Sequence, residues 1–379
     1  MICLYSRSVE MLTLSVFICL GIISAILDVD ICFRGNIFYW IFKCICGLNR
    51  YVLLQSMLNN KHILLVGGSG SLGHEFIDRH LNNNTITNYS RDESKHWQMT
   101  NKYKSDKLKF IIGDVRSYHG VETAILREQP HIIIIMAALK HIDRCEYAVE
   151  ECIQTNCLGP MNVLNVVEKN NDRLKNLESV VMVSTDKACE PTNAYGMAKA
   201  LAESAIVEKS LHVKNRKFVN IRYGNVLNSR GSIIPLLCGL GDDLNIKEFT
   251  LTHPEMTRFV MTLEQSVQLI EHAIIFGESG DTVIPELVSM KLVDLMDIFS
   301  KKYGKPVRIT GLRPGEKMME SLISETQAMR LVNGPDGYCY IKPPYKNISV
   351  GGVFKNYNSK LNPLSRDMLE SYLRSSRLI

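Results

Sequence analysis

The stretch HILLVGGSGSLGHEFIDRHL, residues 62–81, decides the fold. It opens on His62–Gly67, an apolar run of the right length for one buried strand. Gly67, Gly70 and Gly73 follow as G-x-x-G-x-x-G, with Ser69, Ser71 and Leu72 among them. His74–Leu81 then takes up helical spacing. Glycines between a strand and a helix permit a tight turn and let backbone N–H groups close on a pyrophosphate at the helix N-terminus. A merely flexible loop would need neither flank, so the motif reads as a dinucleotide-binding turn.

Outward from there, Ile86–Tyr89, Leu108–Gly113, His131–Met136, Val180–Val183 and Lys217–Arg222 read as further strands, separated by helical segments. This alternation predicts an α/β chain with an NAD(P)-binding Rossmann fold, a doubly wound parallel sheet holding its ligands at the strand carboxyl ends. The second strand ends in Ser90-Arg91-Asp92-Glu93, with Lys95 just beyond. Ser90 and Arg91 suit a ribose 2′-phosphate, so NADP is favoured over NAD; a solvated charged turn is the plainer alternative. Asp114 and Val115 stand where an adenine edge could be read. Ala137 and Ala138 are small enough to let a dinucleotide pass. His141, after Lys140, is left as a loop histidine without a role. Tyr147–Glu168 reads as one long helix carrying Thr155 and Asn156.

The second informative stretch is VVMVSTDKACEPTNAYGMAK, residues 180–199. A buried strand ends in Ser184-Thr185-Asp186-Lys187. Tyr195 and Lys199 follow at a spacing of four, on one face of a new helix. A cation there favours the phenolate and would draw the tyrosine pKa down toward working pH. The spacing alone is common. Its position after a strand with its own Asp-Lys pair, downstream of a glycine-rich loop, makes it a candidate base.

Beyond Tyr223 the pattern loosens. Asn225 to Ser232 is polar and irregular, Ile233–Leu240 is apolar, and Leu263–Ile275 is an amphipathic helix. Arg230, Arg258 and Arg313 in irregular segments suit an anionic substrate such as a diphosphate. The organisation expected is an apolar extension (1–56), a dinucleotide-binding domain (57–228), a region mostly for substrate with returning sheet elements (229–344), and a polar, uninformative tail (345–379).

With 46% hydrophobic and 22% charged residues the chain has a globular balance, and 379 residues can bury an ample core. A net charge of +5 without a basic block argues against nucleic acid. The 11 cysteines show no C-x-x-C pairing, so reduced thiols are expected and no metal site. Met11–Leu27 is an uncharged run at the lower limit for a membrane span. An anchor, a start at Met57 and, last, a signal peptide compete for residues 1–56. An anchor would leave the following domain cytoplasmic, because Arg34, Lys43 and Arg50 outweigh Arg7.

Taken together, GGSGSLG, SRDE, GDVR, AALKHIDRCEY, TNCLG, STDKA, NAYGMAK, RYGNVLNSRGS, PEMTRF, VSMK and GLRPGEK resemble the extended short-chain dehydrogenase/reductase superfamily. More narrowly they resemble UDP-N-acetylglucosamine 4,6-dehydratases of the polysaccharide and flagellin-glycosylation type, from about Met57 to about Tyr340. Tyr195 points to the short, C5-inverting branch, because the long members tend to have Met there. The resemblance implies NADP and a UDP-sugar as ligands, and a homo-oligomer is expected. It implies that Tyr195, activated by Lys199, takes the C4 hydroxyl proton. Lys187 would then remove the C5 proton, and Asp186 would protonate the departing C6 hydroxyl. Lys95, Lys140, Thr155, Tyr195 and Lys199 join the cofactor site. Lys140, Lys187, Tyr195, Asn225, Arg230, Gly231, Ser232, Arg258, Arg313 and Glu316 would line the UDP-sugar site. A sugar 4-epimerase or reductase, and a catalytically silent dinucleotide-binding regulator, are the rival readings.

Overall fold

β1 (His62–Val66) lies inside the main sheet because its two faces are equally apolar: Leu64 and Val66 enter one core, Ile63 and Leu65 the other. A strand buried on both sides in this way belongs in a covered parallel sheet. The computed structural model describes residues 58–346 and 356–379, which fall in one unit, Leu58–Ile379. The apolar extension and Met57 therefore lie outside the described residues. Among those described, no helix is long and apolar enough to cross a membrane.

β1 is followed by β2 (Thr85–Ser90), β3 (Leu108–Ile112), β4 (Ile132–Ile135), β5 (Ser179–Val183) and β6 (Lys217–Ile221). Between them run α1 (Ser71–His80), α2 (Glu93–Tyr103), α3 (Tyr118–Glu128), α4 (Ile142–Tyr147), α5 (Val149–Ile153), α6 (Gly159–Lys169) and α7 (Ala194–His212). The sheet order places β1 between β2 and β4, all parallel. The winding therefore reverses beside β1 and opens a crevice at the carboxyl ends of β1 and β4. The single helix expected over Tyr147–Glu168 is instead broken: α4 stops at Ala148, α5 starts again, and a π-helical turn, Gln154–Leu158, joins α5 to α6. Widened turns of this kind gather at functional sites, and this one carries Thr155.

After β6 the chain builds β7 (Asn225–Val226), α8 (Ile233–Asp242), β8 (Phe249–Leu251), β9 (Thr257–Met261) and α9 (Leu263–Phe276), then returns to the main sheet as β10 (Thr282–Pro285), parallel to β6. β11 (Val288–Lys291) pairs with β9, and α10 (Leu292–Tyr303) and β12 (Val307–Ile309) complete a third core with β8. β13 (Ser321–Ile323), α11 (Glu325–Ala328), β14 (Leu331–Asn333) and β15 (Tyr338–Ile341) follow. β15 and β14 extend the main sheet antiparallel, giving nine strands among the described residues; the parallel sheet expected is thus a parallel sheet with an antiparallel edge.

The tail, whose polarity left it unread in the sequence, folds back onto the body over its described residues. β16 (Tyr357–Asn358) pairs with β13, and α12 (Arg366–Ser375) sets Leu369 and Leu373, both fully buried, against α10. Ser365 caps this helix by accepting from the Met368 N–H. Leu369→Ala should therefore lower the unfolding free energy by about 2–5 kcal/mol, the cost of an unfilled core position. Urea denaturation measures it; a loss under about 0.5 kcal/mol would mean that the helix is only laid on the surface.

Candidate active site

The strand-to-helix turn after β1 is built around absent side chains. Gly67 has φ +89°, and a methyl group there would lie 2.5 Å from the Ala137 Cα. A methyl on Gly70 would meet nothing within 4 Å, so this glycine leaves open space in front of α1. No side chain caps α1, whose first N–H groups face the same space. The cleft beginning here has a volume of about 910 Å³. It runs along Gly67, Ser69, Gly70, Ser71, Leu72 and Gly73, past Ser90, Arg91, Asp92 and Lys95, then Asp114 and Val115. It continues by Ala137, Ala138, Lys140 and Thr155 to Lys187, Tyr195, Lys199, Asn225, Arg230, Gly231 and Ser232. Within it Thr155 Oγ1, Ser184 Oγ and Ser232 Oγ are buried without a hydrogen-bond partner among the described residues. Hydroxyls in that condition suit a polar ligand, because a buried unpaired donor is costly.

The tip of β2 differs in detail from expectation. Ser90 Oγ is engaged by His96 Nε2 at 2.6 Å. Asp92 caps α2, accepting from the Lys95 N–H and pairing with Lys95 Nζ at 2.6 Å. Asp114 is held by Arg116 at 2.6 Å, with the half-exposed Arg91 at 3.5 Å. Arg91 is thus the group at this tip with the freest charge, and Glu93 stands off the cleft in the first turn of α2.

At the other end, Asn193 starts α7. Its Oδ1 accepts from the Gly196 N–H at 2.8 Å, and its Nδ2 donates to the Gly315 carbonyl at 2.9 Å. One side chain so ties the helix start to the Arg313–Lys317 loop. Lys199 Nζ, fully buried, donates to the Val183 carbonyl at 2.6 Å. Burial pulls its pKa from 10.5 down to about 8. Burial also pushes the Tyr195 phenol well above its ordinary range, with the Asp186 charge adding to it and a Thr185 hydrogen bond opposing. In the free protein, then, Tyr195 is not the lowered phenol that its spacing to Lys199 suggested.

Asp186 is closed off behind Lys187 and does not line the cleft. Its Oδ1 accepts from Thr185 Oγ1 and from Lys187 Nζ, each at 2.9 Å, while Oδ2 is buried without a partner among the described residues. Lys187 also donates to Asn225 Oδ1 at 3.2 Å. Burial drags the Lys187 pKa down, but Asp186 and Glu320 outweigh it, so the ammonium is held above its ordinary value. Lys187 is not the depressed lysine that a ready-made base would be. Arg258 stands outside the cleft, buried, donating to the Thr257 and Lys317 carbonyls at 2.8 and 2.9 Å. Arg313 and Glu316 pair with each other on an exposed loop, also outside it. Sequence reasoning missed Glu320, which sits among the buried cations three residues past Lys317; a lone carboxylate after two methionines carries no pattern. A strap crosses the cleft: Lys140 Nζ donates to the Arg230 carbonyl, and the Arg230 N–H donates to Ser71 Oγ at 2.9 Å.

The lowered Lys199 has a thermodynamic consequence. The unfolded chain binds this proton more tightly than the folded one, so between about pH 8 and 10.5 the Lys199 contribution to stability rises with pH. Denaturation of wild type and Lys199→Met across that window should show the difference moving in favour of wild type as pH increases. A constant difference would mean that Lys199 titrates like a surface lysine.

Residues 63–341 match the family model described as polysaccharide biosynthesis protein. An "uncharacterized membrane protein" of Methanocaldococcus jannaschii is 35% identical over 330 residues, covering 83% of this chain and 93% of that one. A protein of Rickettsia bellii named UDP-glucose 4-epimerase is 37% identical over 283 residues, covering 72% of this chain and 80% of its own. The X-ray structure of Pen from Bacillus thuringiensis superposes with a TM-score of 0.78 at 27% identity, over 85% of this chain and 99% of that one. The glycine turn, the cleft at the strand ends and these matches agree: the chain belongs to the polysaccharide biosynthesis protein family.

Proposed function

We propose that this protein is a UDP-N-acetylglucosamine 4,6-dehydratase that inverts C5 and forms a UDP-2-acetamido-2,6-dideoxy-hexos-4-ulose. The observation that carries the reading is the Lys187–Asp186 pair, with Lys187 in the same cleft as Tyr195 and Lys199. The open space at Gly70, the uncapped start of α1 and the unpartnered hydroxyls of Thr155 and Ser184 fit a nicotinamide dinucleotide. Arg91 favours its 2′-phosphorylated form. When bound, such a cofactor supplies a hydride acceptor that is restored within each turnover.

Tyr195 takes the C4 hydroxyl proton, and the nearby Lys199 ammonium favours the phenolate once ligands change the site. The resulting 4-keto group acidifies C5. Lys187 then removes the C5 proton, Asp186 supplies a proton to the departing C6 hydroxyl, which leaves as water, and a proton returned to C5 on the opposite face gives the inversion. In the free protein the pair rests as a hydrogen-bonded ammonium and carboxylate at 2.9 Å. One proton shift along that bond produces the amine and the acid that elimination needs. Access to Asp186 opens as the Lys187 side chain turns toward C5.

A 4-epimerase is the second reading, favoured by the name of the Rickettsia relative. Epimerisation needs hydride removal and return with one base at C4, which leaves the Asp186–Lys187 pair without a task. NMR of product from UDP-N-acetylglucosamine separates the two. Dehydration gives a C6 methyl group; a C4 epimer that keeps every hydroxyl would sink the proposal.

Lys187→Ala should still oxidise C4, and accumulate bound reduced cofactor with a 4-keto sugar that retains its C6 hydroxyl. Tyr195→Phe should slow reduced-cofactor formation by roughly 10²–10⁴-fold. Single-turnover absorbance with mass analysis of the sugar reads both, and exchanged phenotypes would reverse the two roles. Arg91→Ala should weaken NADP binding far more than NAD binding, since only NADP offers a charge-assisted partner. Equal losses by calorimetry would leave Arg91 as a surface group tied to Asp114.

A further inference from the structure

We propose that Glu320 is a positioning residue for the Asp186–Lys187 pair: its buried carboxylate holds the Lys187 ammonium at the cleft wall and sets the pH at which that proton is released. The consequence for turnover rests on the dehydratase reading; the control of Lys187 does not.

Glu320 is 2% exposed. Its Oε1 lies 3.7 Å from Lys187 Nζ and 4.0 Å from Arg258 Nε, and its Oε2 lies 3.8 Å from Lys317 Nζ. Oε2 has no hydrogen-bond partner among the described residues. A carboxylate buried only for structure would be hydrogen-bonded; this one stands just outside bonding distance of three cations and acts on them through its field. Its backbone is pinned from the tail: the Glu320 N–H donates to Ser359 Oγ at 3.1 Å, and the Ser359 N–H donates to the Glu320 carbonyl at 2.8 Å. Ser359 in turn shares a hydrogen bond with Thr257, beside Arg258. The main chain that carries the carboxylate is thereby fixed in place.

Around Lys187 and Asp186 stand Glu320 and Lys317 from the loop leading to β13, Arg258 from β9, Tyr195 from α7, and Arg222 and Tyr223 after β6. Among these, Asp186 and Glu320 are the groups that favour the Lys187 ammonium. Asp186 is the group that must take the Lys187 proton, and its own negative charge goes as it does so. Glu320 takes no part in that exchange and stays 3.7 Å from the Lys187 ammonium, so as a carboxylate it bears on how hard the proton is to move. Burial pushes the Glu320 carboxyl upward, against the pull of its cations.

The test is competitive labelling of the full chain with acetic anhydride from about pH 6 to 11, with the Lys187 peptide read by mass spectrometry. Only the free amine reacts, so the labelling midpoint reports Lys187 directly and without turnover. In wild type the midpoint should lie above that of an ordinary lysine. Glu320→Gln should lower it by about 1–3 pH units, and Glu320→Asp should bring it back toward wild type. A merely structural role would change the amount of folded protein and leave the midpoint where it was. An unchanged midpoint in Glu320→Gln overturns the proposal. A wild-type midpoint below that of an ordinary lysine overturns it too, and needs no variant to fold. Wild type that leaves UDP-N-acetylglucosamine untouched would instead sink the dehydratase reading, whatever the midpoint.

Discussion

The ends of β1 and β4 come so close that a methyl group on Gly67 would overlap the backbone of Ala137. The glycine-turn end of the cleft is built on that approach. The chain after β1 also takes a left-handed conformation there, φ +89° at Gly67, which a residue without a Cβ adopts freely. The approach aims α1 across the crevice where the winding of the sheet reverses. It also sets Lys140, three residues past Ala137, within reach of the Arg230 carbonyl on the far side. The packing energy lies elsewhere, in the two apolar layers that sandwich the sheet. The close approach decides where those layers leave a gap.

At the opposite wall the governing constraint is electrostatic. Lys187, Arg258 and Lys317 gather round Asp186 and Glu320, so buried positive charge exceeds buried negative charge by one. Removing water from such a group is expensive unless each charge has partners. Here Lys187 and Asp186 pair directly at 2.9 Å, while Glu320 is shared among Lys187, Arg258 and Lys317 at 3.7–4.0 Å. Lys199 shows the contrast. It is buried more deeply than Lys187, the Val183 carbonyl is its hydrogen-bond acceptor, and burial wins.

Much of this was legible in the sequence because local pattern and tertiary role coincide there. The run before Gly67 is apolar on both faces, as a central parallel strand must be, and the glycine spacing is a direct record of the turn. Leu369 and Leu373 gave no such record: two leucines in a polar helix acquire meaning only when α10 lies beneath them. β14 and β15 are too short to announce a pairing, and Thr282–Pro285 ends in a residue that argues against a strand. The break at Ala148 and the widened turn at Thr155 replace a helix whose periodicity looked continuous. For Tyr195 the local pattern is incomplete: a spacing of four says which groups share a helix face, but not how much water they have lost. For Lys187 the carboxylate behind it, Glu320, lies more than a hundred residues away in the chain.

Asn193 is the joint through which these parts answer to one another. Its amide has two chemically different ends, and each holds a different segment: the oxygen secures the first turn of the helix bearing Tyr195, the nitrogen secures Gly315. A carboxylate in its place could cap the helix but could not donate, and a serine could not span both. The loop carrying Arg313 and the helix carrying the candidate base thus share a rivet. The start of the helix and the turn at Gly315 are held to each other by one amide, with no part of the sheet between them.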